Sequence, residues 1–183
     1  MTYDAPPPPG SPQKPPNAGG PSGGSFDPSS VDRFDWAILG IGFVVLVFSF
    51  FDYYSWDFGA YGVHLGSVSW SAWHFGHGLF IAWLAMVLTV LGAAALAVTL
   101  FVPNVQLPLP ARALTFLGFG VGFVLYLIAI FAHSDFGPAG GHAFSFWLSL
   151  VLAGVGAVLA LIRAQQTATP LPGPLANLPR IGN

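Results

Sequence analysis

The histidines are the residues of this chain with the most recognisable metal-binding chemistry. They are His64, His74, His77, His133 and His142. His74 and His77 are three residues apart, so they share one face if they lie on a helix. His133 ends one predicted apolar helix and His142 begins the next, so a bundle would bring both towards one end. Imidazoles without neighbouring lysine or arginine suit Zn²⁺, Cu²⁺ or Ni²⁺. The predicted metal ligands are His74, His77, His133 and His142.

Two other interpretations of the histidines stay open. Neutral, hydrogen-bonded histidines occur at membrane interfaces without meeting, and their spacing here does not match the zinc motif H-E-x-x-H. Alternatively, they sense pH. Together with Asp52, Asp57 and Asp135 they would change the charge of one end of the protein from negative to positive on protonation near pH 6. A haem held by two of them is chemically sound but less favoured, and we predict no cofactor.

The segments that must position these histidines are unusually apolar. Charged residues make up 7 % of the chain and hydrophobic residues 54 %, whereas ordinary soluble domains have about 25 % charged residues. The stretch 72–102 contains no Asp, Glu, Lys or Arg. At about 1.5 Å per residue, a helix of this length is more than enough to cross a hydrocarbon layer of about 30 Å. We therefore predict an integral membrane protein.

The predicted fold class is all-α, a membrane-embedded four-helix bundle, because backbone groups in lipid must be hydrogen-bonded within each segment. The predicted spans are about 34–51, 72–102, 112–132 and 142–162. The domain so defined is 34–163. The aromatic cluster at 52–57 is expected at the water boundary, and 57–71 is expected to be a loop or a short surface segment.

The ends of the chain differ in composition from the bundle. The segments 1–33 and 164–183 are rich in proline, and the first also in glycine, which predicts disordered tails. Asp32 or Asp35 is expected to cap the first helix. Small residues four apart, as in Gly118-x-x-x-Gly122, are expected to pack helices together. We favour contacts within the chain over a dimer interface.

The basic residues predict the orientation. They are Lys14, Arg33, Arg112, Arg163 and Arg180. If the four predicted spans alternate in direction, all five fall on one side. Loops on the cytoplasmic side of a membrane carry the excess of Lys and Arg. We therefore expect a multi-pass plasma membrane protein with both termini in the cytoplasm and the histidines on the outer face.

Several classes of function find no support in the residues. The middle of each predicted span lacks the charged residues that ion-coupled transporters usually carry. Nucleophile motifs, phosphate-binding loops and acidic pairs do not occur. Cysteine is absent, which excludes disulfides and thiolate metal sites, and no basic patch suits nucleic acid. We predict that the protein is not an enzyme.

The leading hypothesis is therefore an accessory or scaffold subunit of a membrane assembly. Its expected partners are the lipid bilayer and other membrane proteins or a second copy of the chain. The alternative is a metal-binding or pH-responsive protein of the outer face.

One resemblance concerns the whole layout. The proline run from Pro6 to Pro9 and the aromatic segment from Phe50 to Trp56 flank a Gly- and Ala-rich apolar region that ends in a short proline-rich tail. This layout resembles small four-span integral membrane proteins of actinobacterial type. The resemblance implies a bacterial plasma membrane and brings no activity or functional residue with it.

Overall fold

The part of the chain that the structure describes forms four helices and three strands. The structure, a computed structural model, describes residues 28, 31–60, 63–74, 79–102, 105–132 and 140–171. The helices are α1 (Arg33–Phe48), α2 (Phe80–Phe101), α3 (Ala111–Ala132) and α4 (Phe144–Gln166). The strands are β1 (Asp52–Ala60), β2 (Val63–Ser71) and β3 (Gly140–His142). Most of both predicted tails lies outside the described residues.

The strands correct the all-α prediction, which is wrong. They form one antiparallel sheet in the order β2-β1-β3. Residues 57–60 and 63–71, expected to belong to a loop or a short surface segment, supply most of its hairpin. The physical reason is visible in the residues. From Tyr54 to Phe58 aromatic and polar side chains alternate, and an alternating segment places its apolar side chains on one face of a strand.

The prediction of four membrane spans is also wrong. Among the described residues, three helices, α2, α3 and α4, are long and apolar enough to cross a membrane. These helices identify a membrane protein by length and composition. In contrast, α1 has 16 residues, which at about 1.5 Å each is about 24 Å and falls short of a hydrocarbon core of about 30 Å. In addition, α2 starts at Phe80 rather than at residue 72, because the sheet takes the chain up to Ser71.

The helices alternate in direction, so the bundle has two distinct ends. The start of α1 contacts the start of α3 and the end of α4 through Asp35, Arg112 and Arg163; we call this the ion-pair end. The end of α1 lies at the sheet, where the carbonyl oxygen of Ser49 accepts a hydrogen bond of 3.1 Å from the backbone N–H of Ala72. We call this the sheet end, formed by β1, β2, β3 and the adjoining helix ends.

Small residues set the spacing between α2 and α3. A Cβ atom added to Gly118 would lie 2.7 Å from the Cα atom of Gly92, and one added to Gly122 would lie 2.9 Å from the carbonyl oxygen of Ala85. The hydroxyl of Thr115 donates to the carbonyl of Gly92 at 3.0 Å across the same contact. The prediction that Gly118-x-x-x-Gly122 packs helices within the chain is confirmed.

Candidate functional site

A buried carboxylate organises the ion-pair end. The side chain of Asp35 is only 2 % exposed. Its Oδ2 accepts a hydrogen bond of 3.1 Å from Nη2 of Arg112. Arg163 binds the same carboxylate side-on, from Nε to Oδ1 at 3.3 Å and from Nη2 to Oδ2 at 3.4 Å. Charge-assisted bonds of this kind are stronger than neutral ones, so this contact ties α1, α3 and α4 together.

The second acid of this end has a different role. Oδ1 of Asp32 accepts a hydrogen bond of 2.8 Å from the backbone N–H of Phe34, and Oδ2 lies 3.3 Å from Nη1 of Arg163. Of the two predicted caps, Asp32 is therefore the one that caps α1, whereas Asp35 pairs across helices. Two carboxylates facing two guanidinium groups leave this cluster without net charge. The arrangement suits a structural clamp between helices.

A group of three hydroxyls connects the sheet to the helices at the other end. The hydroxyl of Tyr53 on β1 lies 3.1 Å from the hydroxyl of Tyr126 on α3 and donates to Oγ of Ser149 on α4. All three side chains are buried. Tyr53 therefore joins Tyr126 of α3 to Ser149 of α4. The group fixes β1 on top of α3 and α4.

Sequence reasoning placed Tyr53 at the water boundary and so missed its role. Tyr53 and Tyr54 are neighbours, and in a regular strand they would point to opposite faces. A register irregularity between Asp52 and Tyr54 interrupts this alternation, as β-bulges do, and both tyrosines are buried. No local residue pattern indicates such a bulge, so the sequence carried no usable signal for it.

Burial changes the acidity of both tyrosines of β1. It raises the pKa of Tyr53, and the hydrogen bonds with Ser149 and Tyr126 offset part of that increase. It also raises the pKa of Tyr54 well above the ordinary value, with a further increase from the neighbouring Tyr53. Desolvation disfavours the charged phenolate, so both hydroxyls stay protonated at physiological pH.

Two of the four predicted metal ligands are described, and aromatic rings separate them. The ring of His142 on β3 lies 4.0 Å from the ring of Phe146 and 5.3 Å from that of Tyr54. His74 is exposed and stacks on Trp70 at 5.7 Å. Tyr54 pairs with Trp70 on β2 and with His142 on β3, so these three residues lie side by side across the sheet. His74 follows β2 and stacks on Trp70, so Tyr54 and Trp70 lie between the two histidines.

The other two predicted ligands, His77 and His133, lie outside the described residues. The fifth histidine, His64, belongs to β2, where its backbone pairs with Gly59. Within the part of the chain that the structure describes, no group of three or more His, Cys, Asp or Glu residues could hold a metal ion. The four-histidine site stays a prediction.

The hairpin of β1 and β2 has two chemically different faces. Its aromatic face, defined by the cross-strand pairs and their alternation, is formed by Tyr54, Trp56, Phe58, Val68 and Trp70. Its serine face is formed by Ser55, Asp57, Ser67 and Ser69. The residues at 52–57 were predicted to mark the water boundary and those at 57–71 to form a loop or a short surface segment, although the two-residue period at 54–58 and 68–71 indicates a half-buried strand.

Comparisons of the chain with protein-family models, with curated proteins and with solved structures found no match.

Proposed function

We propose that the chain is a non-catalytic plasma membrane protein that serves as an accessory or scaffold subunit of a larger membrane assembly. The observation that carries this proposal is the position of its charges. In the four helices they are Arg33, Asp35, Arg112 and Arg163. All of them lie at the ion-pair end, and the remaining length of each helix is free of charged residues.

This distribution argues against coupled transport. A transporter that moves ions or protons usually carries ionisable groups within the membrane, and they face a pathway. Here Asp35 is held by Arg112 and Arg163 at one end, and the buried hydroxyls of Tyr53 and Tyr126 bind one another at the other end. These groups are engaged in holding the elements together.

The outer surface of the helices supports a partner-binding role. Large apolar side chains are exposed on each of the three long helices, for example Leu91 on α2, Val121 on α3 and Val155 on α4. In a bilayer these faces contact either lipid tails or another apolar helix. Packing between such helices depends on close van der Waals contact rather than on the hydrophobic effect, so an uncovered glycine such as Gly120 beside Val121, where an added Cβ atom would meet nothing within 4 Å, favours helix contacts.

Photo-crosslinking in native membranes tests the partner. A photoreactive residue at Leu91, Val121 or Val155 should give an adduct with another membrane protein of defined mass. The same residue at Ala153, which is buried on α4, is the matched control and should give none. The adduct partner should also co-purify with the chain in mild detergent at a constant ratio. Recovery of the chain alone, or adducts only with a second copy, would contradict the proposal.

We further propose that the ion-pair end faces the cytoplasm. Although α1 alone is shorter than a hydrocarbon core, it runs from the ion-pair end to the sheet end, so the chain enters α1 and leaves α4 on the same, cytoplasmic side. The support is that Arg33, Arg112 and Arg163 lie at this end, whereas the sheet end has no Lys or Arg among its described residues, and basic residues favour the cytoplasmic side. The chain has no cysteine, so single-cysteine variants report the orientation. An impermeant maleimide should label Ser67→Cys in intact cells and Pro170→Cys only after permeabilisation. The reverse pattern would overturn this orientation.

A further inference from the structure

The aromatic face of the hairpin is buried at its base and exposed towards its tip. At the base Tyr54 is 3 % exposed, and its ring lies 6.0 Å from that of Phe146 on α4. On the same face, Trp56 is 37 % exposed, and Phe58 and Val68 are each 40 % exposed. One continuous apolar face therefore rests on the helices and then extends past them.

The opposite face of the hairpin is polar. Asp57, Ser67 and Ser69 are exposed on it, and the hydroxyl of Ser69 donates to Oδ1 of Asp52 at 2.8 Å. The segment 52–71 contains no Lys or Arg. The hairpin is therefore amphipathic across its two faces, and its attraction to any surface must come from the aromatic side chains rather than from basic charge.

The residues around the base of the hairpin are those of a membrane interface. Large exposed aromatic side chains at the sheet end include Phe50, Phe51, Trp73, Phe144 and Trp147. The rings of Phe50 and Trp73 stack at 5.7 Å. Tryptophan and tyrosine concentrate where headgroups meet acyl chains. The ends of three membrane-crossing helices and these exposed aromatic residues place the lipid boundary beside the hairpin.

We propose that the β1–β2 hairpin lies in the lipid interface at the sheet end of the bundle. Its aromatic face contacts the boundary between headgroups and acyl chains, and its serine face contacts water. The occupant of the aromatic face is lipid because this face starts on the end of a membrane-crossing helix, becomes exposed beyond it, and offers aromatic side chains without basic charge. The hairpin then acts as an anchor that limits the tilt of the helices, as interfacial aromatic residues do.

Neighbouring residues on opposite faces provide the test. Single cysteines are introduced as Phe58→Cys and Val68→Cys on the aromatic face, and as Asp57→Cys and Ser67→Cys on the serine face. Each full-length variant is spin-labelled and reconstituted in phosphatidylcholine vesicles. Labels at 58 and 68 should be more accessible to oxygen, which concentrates in lipid, than to a water-soluble nickel chelate. Labels at 57 and 67 should show the reverse order. A label at Val155→Cys, on the exposed surface of α4, gives the reference ratio of oxygen to nickel accessibility for a helix surface that contacts lipid.

Each alternative occupant gives a different result. Greater nickel accessibility at 58 and 68 would mean that the aromatic face is in water. Low accessibility of these labels to both reagents would mean that protein covers them. Spin–spin broadening that disappears on dilution with unlabelled chain would identify a second copy. Any of these three results overturns the inference. Because the vesicles hold only this chain and lipid, the result is independent of whether the chain has a protein partner.

Discussion

Arg163, near the end of α4, binds both carboxylate oxygens of Asp35, in the first turn of α1, although 128 residues separate them in the sequence. The contact closes the helical bundle by joining its first and last helices. Arg112 from α3 completes the pairing at 3.1 Å. One carboxylate therefore determines how three helices meet, and its environment has no other described acid besides Asp32.

Replacement of Asp35 is expected to be strongly destabilising. The Asp35→Asn variant removes the negative charge from a side chain that is 2 % exposed and leaves two guanidinium groups without a full partner. Breaking a buried ion pair in this way costs about 3–5 kcal/mol. The free energy of unfolding, measured by titration with sodium dodecyl sulfate from mixed micelles, should fall by that amount.

The matched control is Asp32→Asn. Asp32 pairs with the same Arg163 but is 34 % exposed, and asparagine caps helices as well as aspartate does. Its replacement should change the free energy of unfolding by about 1 kcal/mol or less. An equal decrease in the free energy of unfolding for both variants would show that burial does not make the ion pairs of Asp35 more stabilising than the exposed pair of Asp32.

The close contact between α2 and α3 gives a second prediction. The Gly118→Ala variant places a methyl group 2.7 Å from Gly92 Cα and from the carbonyl oxygen of Leu88. These are backbone atoms, so a side-chain rotation cannot relieve the clash, and overpacking of this kind costs about 1–3 kcal/mol. The loss should appear in the same detergent titration.

Gly120 provides a control on the same helix. A Cβ atom at Gly120 meets nothing within 4 Å. Since alanine favours a helix over glycine by about 1 kcal/mol, Gly120→Ala should leave the free energy of unfolding unchanged or slightly raised. If Gly118→Ala behaved like Gly120→Ala, the packing role of the Gly118-x-x-x-Gly122 face would be refuted.

The sequence was sufficient to predict the three long helices and part of the packing between them. The apolar stretches that become α2, α3 and α4 are longer than soluble helices need, and hydropathy alone identifies them. Small residues at a spacing of four, such as Gly118 and Gly122, indicate a helix face directly. The placement of Arg33, Arg112 and Arg163 at one end also follows from their positions at helix ends.

The sheet and the polar contacts could not be predicted with the same reasoning. Aromatic residues such as Trp56 and Phe58 suit both a membrane interface and a strand, and composition alone favoured the first interpretation. The partners of Asp35 and Tyr53 depend on which helices become neighbours, and that is decided by contacts far apart in the sequence. The register irregularity beside Tyr53 accompanies those contacts, and the local residues give no sign of it.

The histidine hypothesis gives a third prediction. If His74 and His77 bind a metal ion together with His133 and His142, purified protein dialysed against Zn²⁺ should retain about one ion per chain. Changing His74 and His77 to alanine should abolish that retention, measured by plasma mass spectrometry. His64→Ala, outside the predicted ligand set, should retain it. Retention that is absent in the unaltered chain, or that survives the double change, would refute the site.

The buried tyrosines of β1 give a prediction about alkaline pH. Tyrosine in an unfolded chain has a pKa of about 10, and burial raises the pKa of Tyr53 above that value. Below about pH 10 both states keep the proton, so the free energy of unfolding does not change through this group. As the pH rises further, unfolded Tyr53 ionises first, the unfolded state binds fewer protons, and the free energy of unfolding falls.

The Tyr53→Phe variant tests this pH dependence. Its free energy of unfolding should be lower by about 1–3 kcal/mol near neutral pH, because Tyr126 and Ser149 lose a buried partner. That free energy should then decline less steeply above about pH 10. Trp56→Phe changes an exposed ring without a titratable group and should keep the steep decline; equal slopes for Tyr53→Phe and the unaltered chain would show that Tyr53 ionises equally easily in both states.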